Sequence, residues 1–357
     1  MVSDFVFIDK TLGYALKSRK LDIGKWAPLK RKVAAMADMV FDVPMDFLTA
    51  RRDCKNIGLG DVRICVGPAA EQVKAAHELG CSRIKVSLNG PLAGETAHSL
   101  REALSEANRL GMKVTVGCID IAEGALPAAD SFKKLINEYK IHSVIVHDCG
   151  SRLDPLATYR TLEDIKTGIA CPVEYGGKNA LGLATGNTLG AVKSGICTIA
   201  VSIGGIGGFP AFEEVVMGLR HLFKMPVPVP KNIALCCKEV LEAIGMDIPN
   251  TKPVIGSNIF AHESGIHVDG VIKKSELYEP FAPEEVGLSR KIVIGKHSGR
   301  AAIEQKVREL NICMEPSCIA LLLEKVRSLA IRQKAAVVDE QLEQLAREVA
   351  VCEGAYC

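Results

Sequence analysis

The chain has 357 residues, of which 48% are hydrophobic, so it can form a sizeable core. Its 44 Lys and Arg residues nearly balance 42 Asp and Glu residues, and we therefore expect neither nucleic acid nor a membrane surface as a partner. The N-terminal residues do not resemble a secretory signal, and no apolar run approaches the ~20 residues of a membrane-spanning helix. These features predict a globular cytoplasmic protein.

Eight short runs rich in apolar and β-branched residues recur along the first 203 residues, and helical segments that end in glycine lie between several of them. Alternation of this kind, at a spacing of ~20 to 35 residues, indicates parallel βα units. Eight such units predict a (β/α)8 TIM barrel, with an open doubly wound sheet as the alternative. The runs are 5–8, 39–43, 62–66, 83–88, 113–117, 142–147, 171–175 and 197–203.

A proline-punctuated segment at 225–231 ends this pattern. The sequence that follows is helical, then loop-rich, then helical again from Pro316 onward. We therefore predict a TIM-barrel domain over 1–250 and a smaller, mainly helical C-terminal region over 251–357. Ligand chemistry in such barrels lies in the loops after the strands, so these loops are the place to look for a site.

The cysteines do not point to a site of their own. Thirteen of them are scattered along the chain without a C-x-x-C motif. An odd, scattered set in a chain of this length indicates neither a disulfide framework nor a zinc site. We expect reduced thiols, several of them buried as small apolar side chains.

Several motifs carry a resemblance to a known family. The homocitrate synthase and isopropylmalate synthase family has similar segments in the same order, and the similarity extends over nearly the whole chain. The resemblance implies a TIM barrel of the pyruvate carboxyltransferase type and a Claisen-condensing acyltransferase activity. The motifs are SRLDP at 151–155, LGLATGNTLGAVKSG at 181–195, HESGIHVDGVIKK at 262–274, PEEVG at 283–287 and IGKHSGR at 294–300.

The resemblance also implies a divalent metal in the barrel mouth, but this chain differs at each ligand position. Gly13 and Tyr14 stand where the family has its catalytic Arg and metal-binding Asp after strand one. Gly176 and Lys178 replace the two ligand histidines after strand seven, and Phe209 replaces an Asn after strand eight. Glycine has no donor atom, a protonated phenol is a poor ligand, and an ammonium repels a divalent cation. We therefore predict that this chain binds no metal or other cofactor, and that a partner subunit supplies the metal.

The C-terminal motifs keep the residues that the resemblance assigns to catalysis. The SGIH segment supplies His267, and Tyr278 follows eleven residues later. In the family these two side chains reach into the active site of a neighbouring subunit, where they are implicated in proton transfer. An imidazole and a phenol can act as acid and base only when they are positioned against the reacting atoms. His267 and Tyr278 are our candidate catalytic residues.

A chain that keeps the donated residues and loses the metal site resembles one half of a split homocitrate synthase, as found in some anaerobic nitrogen fixers. The resemblance implies a heteromer with an alpha-type catalytic subunit, which shares a site for acetyl-CoA and 2-oxoglutarate and forms homocitrate for nitrogenase cofactor synthesis. Two alternatives stay open. One is a non-catalytic regulatory paralogue, and the other is a metal-free lyase or aldolase in which Lys178 forms a Schiff base.

Overall fold

The computed structural model describes residues 5–48, 57–88, 94–118, 130–263, 270, 274 and 277–353. The chain divides into two compact units, a barrel unit at Met1–Ile248 and a C-terminal unit at Pro249–Cys357. Within the described ranges, none of the helices is long and apolar enough to cross a bilayer.

Eight parallel strands of the barrel unit form a closed barrel in chain order. Closure is direct, because β1 pairs with β2 on one side and with β8 on the other, Asp9 lying opposite Phe41 and Val201. The TIM-barrel prediction is confirmed, and the open-sheet alternative is wrong. The strands are β1 (Val6–Asp9), β2 (Met39–Pro44), β3 (Val62–Val66), β4 (Arg83–Ser87), β5 (Lys113–Cys118), β6 (Ser143–Asp148), β7 (Val173–Gly177) and β8 (Thr198–Val201).

Helices of the barrel unit alternate with these strands. Their apolar residues recur at intervals of three and four, as in the helix at Gly94–Arg109, where Leu100, Ala103, Leu104 and Ala107 are buried. They are α1 (Thr11–Lys17), α2 (Trp26–Ala34), α3 (Ala70–Glu78), α4 (Gly94–Arg109), α5 (Asp130–Glu138), α6 (Pro155–Gly168), α7 (Ala184–Lys193), α8 (Phe212–His221) and α9 (Ile233–Ala243).

Two carboxylates pair with N–H groups at the starts of helices that follow strands. Asp9 accepts hydrogen bonds from the backbone N–H groups of Thr11 and Leu12, so the chain turns from β1 into α1, a helix that the sequence analysis did not predict. Asp154 accepts from the N–H of Ala157 at 2.7 Å and precedes a proline at the first turn of α6. Both contacts satisfy donors that a helix N-terminus leaves unpaired.

The interior of the barrel is partly apolar and partly charged. Ile8, Ile145 and Ala200, from three different strands, form one buried cluster. Side chains alternate across a strand, so residues two positions away on the same strands also point inward. Inward positions on other strands carry buried charges, including Asp42, Arg63 and Lys85.

The C-terminal unit has a hydrophobic core of its own. Its members include Ile303, Leu322, Val326, Leu342 and Val349. A two-stranded parallel sheet completes the described part of this unit. Most of its regular structure is helical, so the mainly helical character predicted for this region is confirmed. The elements are β9 (Ala261–His262), β10 (Lys291–Ile292), α10 (Arg300–Glu309), α11 (Cys318–Gln333) and α12 (Asp339–Glu353).

Candidate functional site

The structure brings together three residues at the predicted metal-ligand positions. Lys178 Nζ lies 3.4 Å from the centroid of the Phe209 ring and donates a 2.9 Å hydrogen bond to the carbonyl of Gly207. Tyr14 packs against Gly207, because a Cβ on that glycine would lie 2.7 Å from Tyr14 Cδ2. A ring face and a carbonyl oxygen are both partners that stabilise a cation. We call Tyr14, Lys178, Gly207 and Phe209 the mouth cluster.

Gly207 permits this arrangement through its backbone as well as its size. Its φ of 68° lies in the left-handed region, which an L residue with a side chain adopts at a cost. A side chain there would also meet the Tyr14 ring. The loop after β8 can therefore place its carbonyl against Lys178 only with glycine at this position.

His147 of β6 occupies the space beside Gly176. A Cβ built on Gly176 would lie 2.5 Å from His147 Nδ1 and 2.8 Å from Cε1. Burial lowers the pKa of His147 well below its usual range, and the positive charges of Lys85 and Lys10 lower it further. The imidazole is therefore neutral, and it fills the volume that a side chain at 176 would need.

These residues do not fit a divalent metal. In the described ranges, no group of three or more His, Cys, Asp or Glu side chains is arranged to hold a metal ion. The ammonium of Lys178 stands at a predicted ligand position, where it would repel a divalent cation. Asp9, the carboxylate at the end of β1, is already engaged by the N–H groups of Thr11 and Leu12.

A second polar cluster lies inside the barrel and was not predicted. Asp42 accepts hydrogen bonds from Lys10 Nζ, from Arg63 Nε at 2.7 Å and from Lys85 Nζ at 3.0 Å. Burial alone would raise the pKa of Asp42, but the attraction of these cations outweighs burial and holds the pKa well below its usual range. Burial also lowers the pKa of Lys10, to about 8, although Asp42 opposes the change.

Arg63 extends this cluster across the barrel to β7. Its Nη1 donates to Glu174 Oε2 at 2.7 Å and to Thr115 Oγ1 at 2.9 Å. Ser143 Oγ donates to Glu174 Oε1 at 2.6 Å. We call the connected side chains the interior charge network, and they are Lys10, Asp42, Arg63, Lys85, Thr115, Ser143 and Glu174.

The sequence does contain a signal for this network. Asp42, Arg63 and Lys85 each interrupt a short run that otherwise reads as an apolar strand. Strands of a parallel barrel are covered on both faces, so a charge within one must find a buried partner. The identity of the partner depends on how the strands are staggered around the barrel, which the sequence does not show.

The two predicted catalytic residues lie in the C-terminal unit. His267 falls outside the described residues. Tyr278 is 41% exposed. The next residue, Glu279, is buried, and its carboxylate accepts a 2.7 Å hydrogen bond from Arg290 Nη2 and lies 3.5 Å from His262 Nε2. The phenol end of Tyr278 lies against Gly270, where an added Cβ would be 2.5 Å from the phenol oxygen.

Comparison with known proteins identifies the family. Residues 61–237 match the HMGL-like family, and residues 254–334 match the family described as homocitrate synthase post-HMGL domain-like. Homocitrate synthase 1 of Nostoc sp. is 31% identical over 295 residues, which are 81% of this chain and 78% of that protein. The chain belongs to the homocitrate and isopropylmalate synthase family. The family resemblance inferred from the motifs is thereby confirmed.

A further relative agrees with this assignment, and a solved structure has the same barrel fold. 2-Isopropylmalate synthase 2 of Caldanaerobacter subterraneus is 37% identical over 257 residues, which are 71% of this chain and 67% of that protein. The crystal structure of the HMG-CoA lyase of Bacillus subtilis aligns with a TM-score of 0.57 over 70% of this chain and 96% of that chain, at 15% identity. At this identity the structural likeness supports the barrel fold alone.

We expect Gly176→Ala to destabilise the barrel by roughly 1–3 kcal/mol, because the new Cβ would lie 2.5 Å from His147 Nδ1. Urea unfolding of the purified chain measures the change. Gly60→Ala is the matched control, since a Cβ there meets nothing within 4 Å. In a His147→Ala background the cost of Gly176→Ala should largely vanish, and an equal cost in both backgrounds would contradict the steric argument.

We expect Asp42→Asn to destabilise the barrel by about 3–5 kcal/mol, because it leaves three buried cations without their shared carboxylate. Asp61→Asn, which alters a partly exposed pair with Lys30, should cost roughly 0–1 kcal/mol. The folded-state pKa of Asp42 is depressed, so its contribution is present above its ordinary pKa near 4 and is lost as the pH falls further. Urea unfolding at pH 7 and pH 3 should show a smaller gap between wild type and Asp42→Asn at the lower pH.

Proposed function

We propose that this chain is the omega subunit of a split homocitrate synthase. In this proposal a heteromer with a metal-binding alpha-type catalytic subunit condenses acetyl-CoA with 2-oxoglutarate to (R)-homocitrate, for synthesis of the nitrogenase iron–molybdenum cofactor. The isolated chain would be inactive as an acyltransferase. The observation that carries the proposal is the mouth cluster, where Lys178 binds Gly207 and Phe209 at a position that the family resemblance assigns to a metal ligand.

The relatives support the reaction class. A homocitrate synthase and a 2-isopropylmalate synthase each align with more than two thirds of this chain, at 31% and 37% identity. Membership of this family supports an acyl-CoA donor and a 2-oxo acid acceptor. The choice of 2-oxoglutarate and the link to nitrogenase follow from the resemblance to a split enzyme.

The C-terminal unit supports a donated role for its candidate residues. Condensation removes a proton from the acetyl carbon and adds a proton to the former keto oxygen, so it requires a base and an acid. His267 and Tyr278 would provide these groups at the partner's site, where a divalent metal would polarise the 2-oxo acid. Tyr278 is 41% exposed, and the next residue, Glu279, is held by a hydrogen bond from Arg290.

A regulatory paralogue is the second candidate. A barrel whose ligand positions are filled by Lys178 and His147 could bind a complete synthase without sharing its chemistry.

A Schiff-base lyase is the third candidate, since burial lowers the pKa of Lys178 and favours its neutral, nucleophilic form. The hydrogen bond and ring contact of its Nζ argue against free attack on a carbonyl. Borohydride reduction with a 2-oxo acid should leave Lys178 unmodified, and a trapped adduct identified by mass spectrometry would establish the lyase.

The first experiment measures the thiol released from acetyl-CoA in the presence of 2-oxoglutarate and a divalent metal. The chain alone, the alpha-type subunit alone and their mixture are compared, with a blank for the thiols of this chain. We expect substantial activity only in the mixture. Activity of this chain alone would contradict the loss of its metal site, and no gain on mixing would contradict the heteromer.

We expect His267→Ala in the active mixture to lower the rate by roughly 10²–10⁴-fold, because it removes a general acid or base. His98→Ala, at an exposed position on α4, is the matched control and should change nothing. Full activity of the His267→Ala mixture, together with normal complex formation, would favour the regulatory paralogue.

A further inference from the structure

A cavity in the C-terminal unit has no part in the proposed function. Its volume is about 490 Å³, within the range of roughly 300–1,000 Å³ that small-molecule sites occupy. Residues of the IGKHSGR motif line one side of it, and residues at the end of α11 and directly after that helix line another. Among the described residues, its lining includes neither Tyr278 nor a member of the mouth cluster.

Short contacts join the segments that form this cavity. The N–H of Val337 donates a 2.7 Å hydrogen bond to the carbonyl of Ile294, so the chain after α11 lies beside the motif. Glu263, directly after β9, accepts a 3.0 Å hydrogen bond from the N–H of His297. A Cβ on Gly295 would lie 2.5 Å from Glu263 Oε1, so a side chain at this position would displace the carboxylate. Three segments that are distant in sequence therefore build one wall.

Lys296 and Lys334 bring two positive charges to the cavity. Neither ammonium has a hydrogen-bond or ion-pair partner among the described residues. A phosphate monoester carries a charge of about −2 near pH 7, which two ammonium groups balance. The oxygens of such a group also accept charge-assisted hydrogen bonds from lysine.

Glu263 and the apolar lining limit what else the ligand carries. The Glu263 carboxylate would repel a second anionic group, whereas it accepts hydrogen bonds from hydroxyl groups. Hydrogen bonding of a ribose hydroxyl to a carboxylate is a recurring contact in nucleotide sites. Ile331 lines the cavity with Ala336 and is 64% exposed, so an apolar surface is left for a flat ring. An anion, a diol and a ring system together describe a nucleotide.

We propose that this cavity binds a nucleoside 5′-monophosphate. Its phosphate lies between Lys296 and Lys334, a ribose hydroxyl donates to Glu263, and the base covers Ile331. Coenzyme A contains the same ribose and 5′-phosphate, but it also carries a 3′-phosphate on the ribose. That phosphate would face the Glu263 carboxylate, so the free monophosphate is the favoured ligand.

This site goes beyond the proposed function and does not rest on it. It uses the C-terminal unit alone, and it requires neither a metal nor a partner subunit. Binding to the isolated chain therefore tests the site even if the heteromer does not form.

The test is isothermal titration calorimetry of the full chain with AMP, 2′-deoxy-AMP, coenzyme A and inorganic phosphate, at constant ionic strength. We expect AMP to bind at one site per chain. Lys296→Met and Lys334→Met should each weaken AMP binding at least tenfold. Lys291→Met, an exposed position on β10 outside the cavity lining, is the matched control and should bind AMP as the wild type does.

The role of Glu263 is tested by the two nucleotides. 2′-Deoxy-AMP should bind about tenfold more weakly than AMP, because a hydrogen bond to a carboxylate is lost. This ratio should fall towards one in Glu263→Gln, a variant that keeps an acceptor for the N–H of His297. An unchanged ratio in that variant would overturn the placement of the ribose.

The other outcomes also decide the proposal. Absence of AMP binding to the wild type overturns the site, and equal affinity in the wild type and both lysine variants places the nucleotide elsewhere. Phosphate binding as tight as that of AMP shows a site for the ion alone and overturns the nucleoside assignment. Tighter binding of coenzyme A than of AMP assigns the cavity to an acyl donor and overturns the monophosphate. Acyl-transfer activity of the mixed subunits is measured separately, so failure of this site is distinguishable from failure of the proposed function.

Discussion

The shared carboxylate of Asp42 is the interaction on which the interior of the barrel depends. It lies within hydrogen-bond distance of Lys10, Arg63 and Lys85, side chains from or next to three other strands. Three buried cations without this anion would repel one another and would lack compensation for their lost hydration. Arg63 also donates a hydrogen bond to Glu174. This ion pair connects strands on opposite sides of the barrel, in addition to the backbone pairing between neighbouring strands.

The mouth cluster places a cation of the chain itself at a position that the family resemblance assigns to a metal ligand. The cation is the ammonium of Lys178, on its flexible side chain. It donates a hydrogen bond to a backbone carbonyl and lies over the face of an aromatic ring. Gly207 and Gly176 make room for Tyr14 and His147, respectively. Loss of the ligands is therefore accompanied by side chains that fill the space, and the mouth keeps a packed structure.

The two units differ in the side chains that they carry. The barrel unit gathers buried charges around Asp42 in its interior, whereas the C-terminal unit carries the partly exposed Tyr278 next to the buried Glu279. Each unit has a hydrophobic core of its own. In the proposed heteromer, the C-terminal unit would supply His267 and Tyr278 to the site of the partner.

The sequence by itself determined the eight strands, the helical C-terminal region and the family, because strand spacing and local motifs are properties of short segments. It also predicted the loss of the metal ligands, since glycine, tyrosine and lysine differ from aspartate and histidine in chemistry alone. The contact of His147 with Gly176, the position of the Lys178 ammonium and the partners of Asp42 were decided by the tertiary structure. Closure of the barrel brings β3 to β7 and β6 to β7 at one particular stagger, and that stagger sets which inward side chains meet.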